Sequence, residues 1–109
     1  MYREPPAPLP GFTVVVTRET VAVVLSGEFD IMSEGFLAGR LARLPLGRPG
    51  RLVFEAEQVT FIDCASARLI VDTGRRLPPG VEPVIARPSL VVRRVLQVSG
   101  LSARCILAG

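Results

Sequence analysis

The 109-residue chain contains no histidine and no lysine, only two cysteines, and few aromatic residues (6%). Each scarcity excludes something. Without histidine the commonest metal ligand and the commonest general base at neutral pH are both missing. The cysteines, Cys64 and Cys105, show no Cys-x-x-Cys or Cys/His spacing, so no metal site is expected. Two reduced thiols are the expected state in a chain that carries no export signal. A thiol hydrolase built on Cys64 would lack its base, and no Gly-rich phosphate loop of the GxxxxGK type occurs. No catalytic residue and no cofactor is therefore expected. Long hydrophobic runs are absent as well. Although 49% of residues are apolar, Arg, Glu, Pro or Gly breaks every run well short of the roughly 18 that span a bilayer. The first eleven residues have no apolar core behind their charges, so neither a signal peptide nor an anchor is read there and a cytoplasmic chain is expected.

What is present is one domain's length of chain with a basic balance: 13 basic residues, all arginine, against 10 acidic ones, for a net charge of +3. The arginines are scattered and no aromatic residue is interleaved with them, so nucleic acid is not the expected partner. An acidic patch on a protein suits the same charges.

Residues 1–11 are Pro-rich and predict an extended or poorly ordered arm, because proline removes backbone donors and breaks helices; the domain is expected over 12–109. Two β-branched runs, 13–17 and 21–25, predict a hairpin turning at Arg18-Glu19-Thr20. Phe36 or Leu37, Leu41 and Leu44 then fall at helical spacing, with Asp30 or Ser33 as N-cap, until Pro45, Gly47, Pro49 and Gly50 end the helix. A third strand over 51–55 leads through Val59-Thr60-Phe61-Ile62 to Asp63. Asp63 is placed to cap a second helix whose expected inner face is Ala65, Leu69, Ile70, Thr73 and Leu77. A fourth strand over 81–86 is interrupted by Pro83, which suggests an edge or a bulge. Ser89 opens a third helix with Val91 or Val92, Val95, Leu96 and Val98 as its apolar face and Gly100 as its left-handed stop. The last strand is expected over 103–107. The order β-β-α-β-α-β-α-β predicts an α/β fold with a mixed five-stranded sheet backed by helices.

Three stretches carry a family resemblance. Leu25-Ser26-Gly27-Glu28-Phe29-Asp30 looks like a strand-ending G-E-L-D. Val59-Thr60-Phe61-Ile62-Asp63-Cys64-Ala65-Ser66-Ala67-Arg68-Leu69 is similar to V-x-F-[ILM]-D-S-[ST]-G-L. Pro88-Ser89-Leu90-Val91-Val92-Arg93-Arg94-Val95-Leu96-Gln97-Val98-Ser99-Gly100-Leu101 looks like P-x-V-x-R-x-[LF]-x-x-[ST]-G-L. Together and in this order, they resemble the STAS family, whose small members are the anti-sigma factor antagonists.

The resemblance implies a binding module, not an enzyme: its members bind an anti-sigma factor, a serine kinase of the GHKL type, and so free a sigma factor. It also implies that the hydroxyl residue after the Asp is phosphorylated to end binding. A helix N-terminus suits that role physically, since its free N–H groups and dipole attract an anionic group.

The sequence departs from the pattern here. Cys64 stands at the acceptor position, Ala65 at the next hydroxyl position, and Ser66 where the pattern has glycine. A thiol is no substrate for Ser/Thr phosphorylation, so the usual off-switch is expected to be missing. Two other readings of this corner are weaker. A redox switch at Cys64 has no resolving cysteine nearby in the sequence. Phosphorylation at Ser66 would act about 200° round the helix from Cys64. Asp30 and Asp63 each follow a strand and open a helical segment, so the resemblance implies that Asp30, Asp63, Cys64, Ala65 and Ser66 border one partner-binding surface. The rival role is a non-catalytic STAS subunit of a larger sensory or regulatory assembly; the lack of membrane segments argues against a transporter-linked domain.

Overall fold

The structure, a computed structural model, describes residues 9–47 and 50–109. The expected N-terminal arm lies outside the described residues except for its last three, and Gly11 already belongs to the first strand.

Five strands form one sheet in the order β1-β2-β3-β4-β5. β1 (Gly11–Val16) and β2 (Thr20–Phe29) make the expected hairpin. The hydroxyl of Thr17 accepts from the N–H of Thr20 at 3.2 Å and so closes the turn. β3 (Arg51–Ile62), β4 (Val84–Ala86) and β5 (Ile106–Ala108) follow as parallel neighbours. The crossovers carry α1 (Glu34–Ala42), α2 (Cys64–Asp72) and α3 (Leu90–Val98). Each crossover advances one strand in the same direction, and right-handed connections then place all three helices on one face. The sheet's inner side chains form the core beneath them: Val21, Val23, Leu25 and Phe29 of β2, and Leu52, Phe54, Ala56, Val59 and Ile62 of β3. Leu37, Leu41, Ile70, Val71, Val92 and Leu96 answer them from the helices.

β3 is longer than the sequence suggests. It runs unbroken for 12 residues, opposite 10 in β2, and the pairing slips between Val24 and Ser26 and again between Gly27 and Glu28. Each slip is a bulge that adds one β3 residue and reverses which side chains face inward. The alternation therefore breaks at Ala56, Val59 and Ile62.

Four other segments differ from the sequence reading. β4 begins after Pro83 and lies between β3 and β5, so the proline marks neither an edge nor a bulge. It precedes the strand, and its carbonyl accepts from the Ile106 N–H at 2.9 Å. β5 starts later than expected because Leu101–Arg104 forms a 3-10 turn after the left-handed Gly100 (φ 78°). The inner face of α2 is Ser66, Ala67, Ile70 and Val71, with Ala65 exposed and Leu69 half-buried. At the far end of α3, Val98 is 82% exposed, so the buried stripe there is carried by Val92 and Leu96.

Candidate functional site

The carboxyl ends of β2 and β3 lie side by side, with Phe29 paired to Ile62. The next residue on each strand is an aspartate. A backbone bond from the Asp63 N–H to the Phe29 carbonyl, at 3.0 Å, holds the two exits together. Parallel sheets commonly bind partners at such carboxyl ends.

Asp63 does what its position predicts. With extended backbone (φ −90°, ψ 169°) it is the N-cap of α2, and its Oδ1 accepts from the Ser66 N–H at 2.8 Å. Asp30 does not cap α1. Its Oδ1 accepts from the Met32 N–H at 2.9 Å, closing an Asx turn, and its own N–H donates to the Ser33 hydroxyl at 3.1 Å. Ser33 occupies the N-cap position of α1 but makes no side-chain capping bond, because its hydroxyl is turned back to Asp30.

Cys64, Ala65 and Ser66 fill the first turn of α2. Cys64 and Ala65 are exposed beside the half-buried Asp63, whereas Ser66 is 0% exposed and its hydroxyl has no hydrogen-bond partner. The structure thus brings Asp30, Asp63, Cys64 and Ala65 to one end of the sheet and turns Ser66 into the core. The two thiols are not joined: Cys64 is exposed and Cys105 buried. Burial pushes the Cys105 thiol up from its ordinary range, with Glu82 adding to the effect and Arg104 opposing it.

The sequence reading missed an apolar component at this end. Ile31 and Met32, in the Asx turn, are 77% and 87% exposed, and Phe61, paired with Glu28 just before Ile62, is 45% exposed. Exposed apolar side chains thus flank both aspartates along the chain, Ile31 and Met32 just after Asp30 and Phe61 two residues before Asp63, an arrangement that marks a docking surface more readily than exposed aliphatics scattered singly. Adjacent Phe61 and Ile62 cannot both face inward in one strand, and that was the available signal. Among the described residues no group of three or more His, Cys, Asp or Glu could hold a metal, and no helix is long and apolar enough to cross a membrane.

Comparison with known proteins bears on the fold. The unphosphorylated form of the anti-sigma factor antagonist SpoIIAA superposes with a TM-score of 0.69 at 26% identity, covering 91% of this chain and 89% of that one. The phosphorylated form of SpoIIAA, described as a Bacillus cell fate determinant, gives 0.65 at 27% identity over 91% and 92%. An anti-sigma factor antagonist from Mycobacterium paratuberculosis gives 0.79 at 19% identity over 91% and 85%, a likeness of fold. No curated protein sequence matches the chain significantly. The STAS domain model matches residues 12–106, from the hairpin through to the last strand, and the chain belongs to the STAS domain family.

Proposed function

We propose that the chain is an anti-sigma factor antagonist: a non-enzymatic, cytoplasmic binding protein that docks on an anti-sigma factor of the GHKL kinase type and so releases a sigma factor. The observation that carries this reading is the pairing of the two strand exits. It sets Asp30, Asp63, Cys64 and Ala65 beside the exposed Ile31, Met32 and Phe61 on a chain similar in fold to solved antagonists. Apolar side chains rimmed by fixed carboxylates fit a protein partner better than a small substrate. Ser66, being buried, has a packing role in this reading and does not touch the partner.

Cys64 stands at the exposed first position of α2, where a phosphate would meet the helix N-terminus. We assign it as the replacement for a phosphoryl acceptor, which leaves the antagonist without that off-switch. Wild type and Cys64→Glu, used as baits in lysate of the source organism, test both points. Recovery of a GHKL-type anti-sigma factor by wild type, with loss by Cys64→Glu, supports the reading. Recovery of no such kinase, or of large-complex components alone, overturns it. With the kinase in hand, wild type should take no phosphate from ATP whereas Cys64→Ser should. Phosphate incorporation at position 66 in wild type would refute the missing switch.

A further inference from the structure

The outer edge of β1 carries no charge and no proline from Gly11 to Val16, and every residue from Thr13 to Val16 is exposed. Exposed strand edges are normally blunted by lysine, proline, bulges or inward charges, and here none of these is present. β1 is also regular. The Thr17 N–H donates to the Thr20 carbonyl at 2.8 Å, so Thr17 and Thr20 form a hydrogen-bonded pair. Antiparallel ladders alternate, and in the register from Val16↔Val21 to Gly11↔Ser26 this turns Val15, Thr13 and Gly11 toward β2. The N–H and C=O groups of Val16, Val14 and Phe12 therefore point outward, and among the described residues no backbone partner meets them.

We propose that this edge pairs with β1 of a second copy of the chain, antiparallel across a twofold axis at Val14, to give a continuous ten-stranded sheet. Directly opposed residues in such a pair share a face, so residues on the helix side of β1 must meet residues on the helix side of its mate. Phe12, Val14 and Val16 are on that side, opposite the core residues Leu25, Val23 and Val21. With Val14 opposite Val14 of the second copy, Phe12 lies opposite Val16, and Thr13 opposite Val15 on the other face. All three outward-pointing residues of each copy are then hydrogen-bonded.

The strand selects its own copy as occupant. It offers a charged peptide no countercharge, whereas an uncharged strand of the same length and outward pattern is what the chain itself supplies. In this register Arg18 and Glu19 fall opposite Pro10 and Leu9, so no like charges meet. Pro10, which has no N–H, ends the ladder. At the other edge, β5 spans only Ile106–Ala108 and is too short to do the same.

A single strand pair buries less than the roughly 800 Å² per partner of a stable complex, so the dimer is weak and concentration-dependent. The axis lies on the side of β2 away from β3, leaving the ends of β2 and β3 open. It also points the two copies' partner surfaces in opposite directions. The dimer stands independently of the antagonist reading.

Sedimentation velocity over a concentration series of the full chain tests it. Wild type should move from monomer to dimer as concentration rises, and Ile106→Arg should do the same. Val14→Pro removes an outward donor that β2 does not use, and Val14→Arg sets two like charges face to face. Both should stay monomeric with an unchanged far-ultraviolet spectrum. Hydrogen exchange on wild type gives a second readout that needs no variant. The amides of Phe12, Val14 and Val16 should slow as concentration rises, while those of Thr13 and Val15, already bonded to β2, should not. Wild type that remains monomeric at every concentration, a Val14→Pro chain that still dimerises, or concentration-independent exchange at Phe12, Val14 and Val16 would overturn the proposal.

Discussion

Ser66 sits in the first turn of α2, wholly buried and with no partner for its hydroxyl. A buried polar group left unpaired costs about 1–3 kcal/mol, so Ser66→Ala should raise the unfolding free energy in urea by about 1 kcal/mol. Its backbone N–H, bonded to Asp63, is unaffected by the change. Asp63→Ala should lower stability by about 1 kcal/mol through loss of the cap, while Asp63→Asn should largely retain it. The two thiols are separable by exposure: a thiol reagent should titrate Cys64 alone in the native chain and reach Cys105 only on unfolding. The raised pKa of Cys105 also sets a pH dependence. Its contribution to stability is full below the ordinary thiol value of about 8.5 and is lost as pH rises through the higher folded value. Stability should fall on that alkaline limb, and less steeply in Cys105→Ala. Asp63 was legible in the sequence because an aspartate between a strand and an apolar helical period has few other roles. Asp30 was less so, since an aspartate before a helix can close an Asx turn as readily as it can cap, and here Ser33 holds the N-cap position.

At the scale of elements, the helices were readable and the long strand was not. The period of α1 and its stop at the Pro/Gly cluster fixed its place. For α2 the expected Ile70, Thr73 and Leu77 are buried and Leu69 is half-buried, and only the start of the stripe differs, because the cap at Asp63 turns Ser66 and Ala67 inward and leaves Ala65 exposed. β3 hid itself: Glu55, Glu57 and Gln58 interrupt its apolar pattern, and the bulges break the period-two alternation by which a strand is recognised. One long-range tie had no sequence signal at all. Arg76, in the 3-10 helix Thr73–Arg76 that follows α2, donates from Nη1 to the Leu41 carbonyl at 2.8 Å and from Nη2 to the Leu44 carbonyl at 2.9 Å. The Leu41 carbonyl lies in the last turn of α1 and the Leu44 carbonyl just beyond it, and each also accepts a backbone N–H, from Leu44 at 3.2 Å and from Leu46 at 2.9 Å, so Arg76 adds a second donor to each and ties the end of α1 to the segment after α2. Arg76→Ala should lower the denaturation midpoint by the equivalent of about 1 kcal/mol, and Arg76→Lys should recover only part, because an ammonium cannot fork to two acceptors as the planar guanidinium does.

For the molecule as a whole, every helix packs on the same face of one sheet and the core is shared among all of them, so unfolding should be a single event. The release of Cys105 to a thiol reagent and the loss of helical circular dichroism should then follow the same curve against urea; a Cys105 transition that came earlier would mean that the β5 end opens by itself. The mix of one antiparallel and three parallel pairings was legible because a short turn reverses the chain, whereas a strand-helix-strand step returns it in the same direction. The partner surface was legible mainly in its polar half: Phe61 beside Ile62 was the one apolar signal, whereas an exposed Ile31 or Met32 reads as core in a sequence pattern. The paired bulges of β3 have a consequence for how this fold tolerates change. A strand is read in a frame of two, and a single insertion or deletion between Ala56 and Ile62 shifts that frame, turning Ile62 outward, Phe61 inward and the chain away from α2. The two bulges are two such shifts in succession, and the second cancels the first. Length changes in this stretch should therefore survive in pairs and fail singly.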